Sequence, residues 1–65
     1  MTDRLAGREI IVEYRPVGNV IRVSAMDAKT LTEVSTQGPA GTLEDILKRN
    51  AIKRLEYVLR KKGLI

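Results

Sequence analysis

The hydrophobic period changes once along this chain, and that change limits what it can fold into. From residue 43 onward, Leu43, Leu47, Ala51, Leu55, Val58 and Leu59 recur at helical spacing. Their stripe predicts an α-helix over about residues 43–62 with one apolar face. Before residue 38 the apolar side chains recur at every second position instead, the period of a strand. A helix stripe has to be buried against something, and the alternating segments carry the other apolar surface of the chain. Strands and helix must therefore pack on one another.

The first alternating stretch is residues 8–15, where Ile10, Val12 and Tyr14 share one phase and Glu9, Glu13 and Arg15 the other, with Ile11 the exception. Pro16-Val17-Gly18-Asn19 then reads as a turn, because Pro presets φ and Gly-Asn tolerates positive φ. Residues 20–27 alternate again, with Ile21, Val23 and Ala25 on one side and Arg22 and Ser24 on the other. A tight loop pairs even positions of the first strand with odd positions of the second. That register puts Ile10, Val12 and Tyr14 on the same face as Ile21, Val23 and Ala25, so turn geometry and hydrophobic pattern agree.

Asp27 to Leu31 forms a second turn, with the Asp27 carboxylate placed to accept from amides two or three residues ahead. Residues 32–37 give a short strand with Val34 inward, and Gly38-Pro39-Ala40-Gly41 breaks it. Thr42 suits an N-cap, and Asp45 three positions later imitates a capping box. Glu44 and Asp45 suit the positive end of the helix, Arg60, Lys61 and Lys62 the negative end, and Gly63 is a natural stop. The expectation is an α+β fold: a three-stranded antiparallel β-meander packed on one long C-terminal helix, β-β-β-α. It forms a single domain over residues 1–65 in which residues 1–7 are flexible. About thirteen apolar side chains make the core, each contributing roughly 1.5–3 kcal/mol before conformational entropy is subtracted.

Composition narrows the chemistry. The 65 residues include no Cys, no His, no Phe and no Trp. The commonest transition-metal ligands, the thiolate nucleophile and the usual neutral-pH proton shuttle are all absent. No catalytic residue, metal site or cofactor is expected. Glu9, Glu13, Asp27 and Glu33 are the carboxylates of the strand region, but so small a domain offers little enclosed space in which to perturb them. Gly38 to Thr42 precedes a helix as a phosphate loop does, yet it lacks the Lys and spacing of a P-loop, and Glu44 and Asp45 would repel an anion. No signal-peptide pattern and no long apolar run is present, so a soluble, cytoplasmic protein without membrane contact is expected.

Three stretches carry a family resemblance: GREIIVEYRPVGNVIRVSAMD, TLTEVSTQGPAG and LKRNAIKRLEYVLRKKG. Together they resemble a small uncharacterised alphaproteobacterial protein family of about this length. That resemblance implies no established activity and no catalytic residue. In topology the β-β-β-α order is also similar to part of the double-stranded-RNA-binding domain, with Lys48-Arg49 in the place of that family's basic helix residues.

Two interaction surfaces follow. The formal charge is +4, and residues 42–65 hold seven basic and three acidic residues, so the whole excess lies in the helix segment. Lys48, Arg49, Lys53 and Arg54 are candidates for contact with a polyanion. The alternative is a solvated face laced by Asp45–Arg49, Glu56–Arg60 and Lys53–Glu56 pairs. Ile11, Val20, Met26, Ile46 and Tyr57 exceed what one helix-on-sheet interface needs and are candidates for a protein interface, self-association included. The expected function is a non-enzymatic binding or adaptor module acting through protein contact, with a homodimer as one form of it. A nucleic-acid-binding module using the basic helix is the alternative.

Overall fold

The computed structural model describes residues 7–65, so the expectation for the N-terminal segment lies, up to residue 6, outside the described residues. Three strands are followed by one helix: β1 (Ile10–Val17), β2 (Val20–Asp27), β3 (Thr32–Pro39) and α1 (Glu44–Lys61). The strands form one antiparallel sheet in the order β1-β2-β3, and α1 packs on β2 and β3. This is the expected β-β-β-α meander. β1 starts and ends two residues later than the sequence pattern suggests, and β3 runs on through Gly38 to Pro39 instead of stopping at residue 37.

The predicted register holds. Val12 faces Ala25, Tyr14 faces Val23, and Ala25 in turn faces Val34. Val23, Ala25 and Val34 meet Leu47, Ala51, Leu55 and Leu59 of α1 in one buried cluster. Ile10, Val12, Ile21, Ile52, Val58 and Ile65 pack around it, half-buried. Gly38 permits the close approach of α1 to β3, because a Cβ there would lie 2.7 Å from Leu47 Cδ2.

The turns show where local chemistry decides. Gly18 has φ of 60° while Asn19 keeps an ordinary negative φ, the pattern of a type II′ hairpin turn. In the β2–β3 turn, Leu31 N–H donates to the Asp27 carbonyl at 2.7 Å, and Leu31 itself sits at φ of 61°. A leucine there carries left-handed strain, and its side chain is 70% exposed. At the helix end Gly63 has φ of 74°; Gly63 N–H donates to the Arg60 carbonyl at 3.0 Å and Leu64 N–H to the Leu59 carbonyl at 2.8 Å. These two bonds are a Schellman motif, the stop expected at Gly63.

Two expectations are corrected. Thr42 is not the N-cap: Leu43 takes that position with extended backbone and no side-chain capping bond. Thr42 lies one residue too early, its N–H already given to the Pro39 carbonyl at 2.9 Å in the preceding turn. Leu43, expected in the core stripe, is 69% exposed, because as the N-cap it has extended rather than helical backbone and leaves the stripe. Tyr14 points to the core face of the sheet, yet it is 37% exposed. The helix lies over β2 and β3, so this end of β1 has no layer above it.

Candidate functional site

The face of the sheet that α1 leaves open is built from the odd positions of β1 and their partners. The register sets four rows across it: Ile11–Met26–Glu33, Glu13–Ser24–Ser35, Arg15–Arg22–Gln37 and Val17–Val20–Pro39. Apolar side chains occupy its two ends and polar ones the middle. The middle rows, joined by Glu33 from the first row and by Tyr14, line an open depression of about 480 Å³ that includes Glu13, Arg15, Arg22, Ser24 and Ser35. Arg15 and Arg22 stand directly opposite one another. Like charges at that spacing repel, and among the described residues neither is joined to a carboxylate.

Among the described residues β1 is also an open edge. Ala28 N–H donates to the Glu9 carbonyl at 3.0 Å, which fixes the phase of the β1–β2 ladder. In an antiparallel pair the bonded and non-bonded positions alternate. The odd residues of β1 therefore bond to β2, while the backbone groups of Ile10, Val12 and Tyr14 point away from the sheet. Pro16 falls in the same outward phase, where its missing N–H disrupts no ladder bond.

On the helix, Lys48, Arg49, Lys53 and Arg54 are all exposed. They do not form one face. At about 100° per residue Arg49 and Lys53 lie side by side, but Lys48 and Arg54 sit on opposite flanks. Of the three expected ion pairs, the described residues form Glu56–Arg60, with Arg60 Nη2 donating to Glu56 Oε2 at 3.1 Å. Ile46 and Tyr57 are exposed and, eleven residues apart, about three turns, share the outer side of α1. Lys61 Nζ lies 5.7 Å from the Tyr57 ring centroid, a cation–π arrangement. Ile11 and Met26 are neighbours on the open sheet face and Val20 lies at its other end, half-buried like Met26. The five apolar candidates are thus divided between two opposite layers and cannot form one patch. Tyr14, Val17, Leu43 and Leu64 join the exposed apolar set, as does Leu31 at its strained turn.

One buried charged cluster escaped the sequence pattern. Asp27 is fully buried, and Arg8 Nη1 donates to its Oδ2 at 2.8 Å. The Thr30 hydroxyl donates to the same oxygen at 2.8 Å and the Thr30 amide at 3.3 Å. Arg8 Nη2 reaches on to the Leu64 carbonyl at 3.0 Å. Burial pushes the Asp27 carboxyl up, but the Thr30 hydroxyl, the Arg8 guanidinium and the Thr30 amide outweigh it and hold it below the usual Asp range. The cluster clasps the start of β1, the β2–β3 turn and the end of α1. It is structural: its carboxylate has no face open to a substrate.

Among the described residues no group of three or more Asp and Glu is placed to hold a metal ion. No described helix is long and apolar enough to cross a membrane. The model of a family described as a domain of unknown function (DUF6898) matches residues 7–62. The chain belongs to that family. The DUF6898 match takes in all three strands and the whole of α1, so the open sheet, the β1 edge and the clasp lie within it, except for the Leu64 carbonyl. No curated protein and no solved structure matches the chain.

Proposed function

We propose that this DUF6898 domain is a non-enzymatic binding module that works through protein contact, with self-association as its simplest form. One observation carries the reading: among the described residues the sheet has a free face and a free edge. Its apolar end rows lie on the face that α1 does not cover, and its outward backbone groups run along the β1 edge. Such a surface offers both burial and main-chain hydrogen bonds, which is how strand-addition partners are held. The carboxylates Glu13 and Glu33 lie in an open depression rather than an enclosed one, which favours recognition over acid–base chemistry.

The nucleic-acid reading keeps one supporting observation, the exposure of Lys48, Arg49, Lys53 and Arg54 on a chain of net charge +4. Their spread around the helix and the Glu56–Arg60 pair weaken it. The test sets both readings side by side. Fluorescence anisotropy with duplex RNA, duplex DNA and single strands is expected to show only weak binding at low salt, lost by physiological ionic strength as screening reaches about 8 Å. Affinity pull-down should retain a protein partner that the Ile11→Asp/Val17→Asp variant loses. Sub-micromolar nucleic-acid affinity at physiological salt, abolished by Lys48→Glu/Lys53→Glu, would reverse the ranking.

A further inference from the structure

Resting on the protein-contact reading, we infer that the free edge of β1 binds β1 of a second copy, antiparallel, about a two-fold axis through Tyr14. The self-complementarity of the strand carries this inference. With Tyr14 opposite Tyr14 of the second copy, the open face places Glu13 opposite Arg15 and Arg15 opposite Glu13. Ile11 meets Val17, both exposed apolar residues. On the inner face Val12 meets Pro16, and the two Tyr14 rings cover each other where α1 does not reach. Every side chain from Ile11 to Val17 thereby gains a partner of matching chemistry.

The backbone agrees. Tyr14 and Val12 are in the outward hydrogen-bonding phase, so the Tyr14 residues exchange N–H and carbonyl reciprocally, and each Val12 N–H donates to the Pro16 carbonyl of the other copy. Pro16 has no N–H to offer, and in this register it is used only as an acceptor. Neighbouring registers fit worse. Centring on Glu13 sets that carboxylate against its own copy, and centring on Val12 sets Glu13 against Ile11. The charge pairing also answers the Arg15–Arg22 opposition within the monomer: the second copy brings Glu13 to the unpaired side of Arg15. The contact is isologous, so it closes at two chains instead of propagating.

The protein has no Cys, so single-cysteine variants report the register without background. Only a residue on the axis faces itself, and opposed Cα atoms in a hydrogen-bonded pair lie about 5.5 Å apart, within disulfide range. Under mild oxidation Tyr14→Cys is expected to give a covalent dimer far faster than Val12→Cys or Glu13→Cys. In sedimentation equilibrium, Glu13→Arg and Arg15→Glu should each weaken the dimer about tenfold, since each charge pair occurs twice by symmetry. The double variant should restore it to within about threefold of the original. Glu13, Tyr14 and Arg15 are exposed, and circular dichroism checks that each variant stays folded. Faster cross-linking at residue 12 or 13, or failure of the double variant to recover, would overturn the register. A constant monomer mass up to millimolar concentration would overturn the dimer itself. If pull-down still retains a partner sensitive to Ile11→Asp/Val17→Asp, the protein-contact reading survives that loss; if not, both fall.

Discussion

Arg8→Met tests the clasp most directly. The substitution keeps the apolar stem of the side chain and removes its charge and donors. Asp27 stays fully buried, and its Oδ2 loses the 2.8 Å contact that neutralised it. Removing one partner of a buried ion pair costs about 3–5 kcal/mol. Asp27 retains the Thr30 hydroxyl and amide, which points to the lower end of that range. Losing the exposed bond to the Leu64 carbonyl adds about 0.5 kcal/mol. The total, about 3.5 kcal/mol, is a large part of what a domain this size holds, about 3–10 kcal/mol. Urea melts followed by far-UV circular dichroism at neutral pH measure it. The pH dependence supplies an independent check. In the native protein the Asp27 carboxyl is held below its unfolded value, so its stabilisation is complete above about pH 4 and declines as pH falls through the folded pKa. Without Arg8 that depression shrinks, so the gap between variant and native protein should narrow in acid. A neutral-pH melt within about 0.5 kcal/mol of native would show that Asp27 is effectively hydrated and the clasp carries little energy.

Three further outcomes are expected from equilibrium melts. Leu55→Ala should cost about 3 kcal/mol, because Leu55 is fully buried at the centre of the α1 stripe; an unchanged midpoint would misplace the helix face. Gly63→Ala should cost about 1–2 kcal/mol through backbone strain alone, since nothing lies within 4 Å of a Cβ there; no loss would mean that the Schellman end is not held. Leu31→Asn should stabilise by about 0.5–1 kcal/mol, as Asn tolerates the left-handed backbone of that turn and the leucine buries little; a loss would show that Leu31 packs in a way its exposure conceals.

The register of β1 on β2 was legible because two independent signals, a short loop and alternation, had to agree. Gly63 was legible because ending a helix in left-handed backbone requires a residue without a Cβ. Thr42 misled because capping depends on one residue of phase, and Leu43 has the same extended backbone without the side chain. Alternation says which face Tyr14 takes, but not whether α1 extends far enough sideways to cover it. The Arg8–Asp27 contact spans nineteen residues and follows no period, so only folding brings its partners together. At the candidate surface the exposed helix residues were readable singly. The division of the five apolar candidates between the far sheet face and the outer side of the helix was readable too, because the helix takes the sheet face that carries Val23 and Ala25.

The reach of Arg8 to Leu64 has a consequence for the order of assembly. It joins residues fifty-six apart, whereas the hairpins and the β3–α1 packing join elements adjacent in sequence. Contacts between sequence neighbours close small loops and form early; one that spans most of the chain must wait until the rest has condensed. The Arg8–Leu64 bond therefore acts as a latch, absent while the barrier to folding is crossed and present only once it has been passed, whereas Arg8–Asp27 spans nineteen residues and closes with the β1–β2 hairpin. Interactions of that kind slow unfolding without speeding folding. In stopped-flow chevrons, removing Leu64 and Ile65, which takes away the carbonyl that Arg8 reaches, should raise the unfolding rate and leave the refolding limb in place; a slowed refolding limb would put this contact in the nucleus instead.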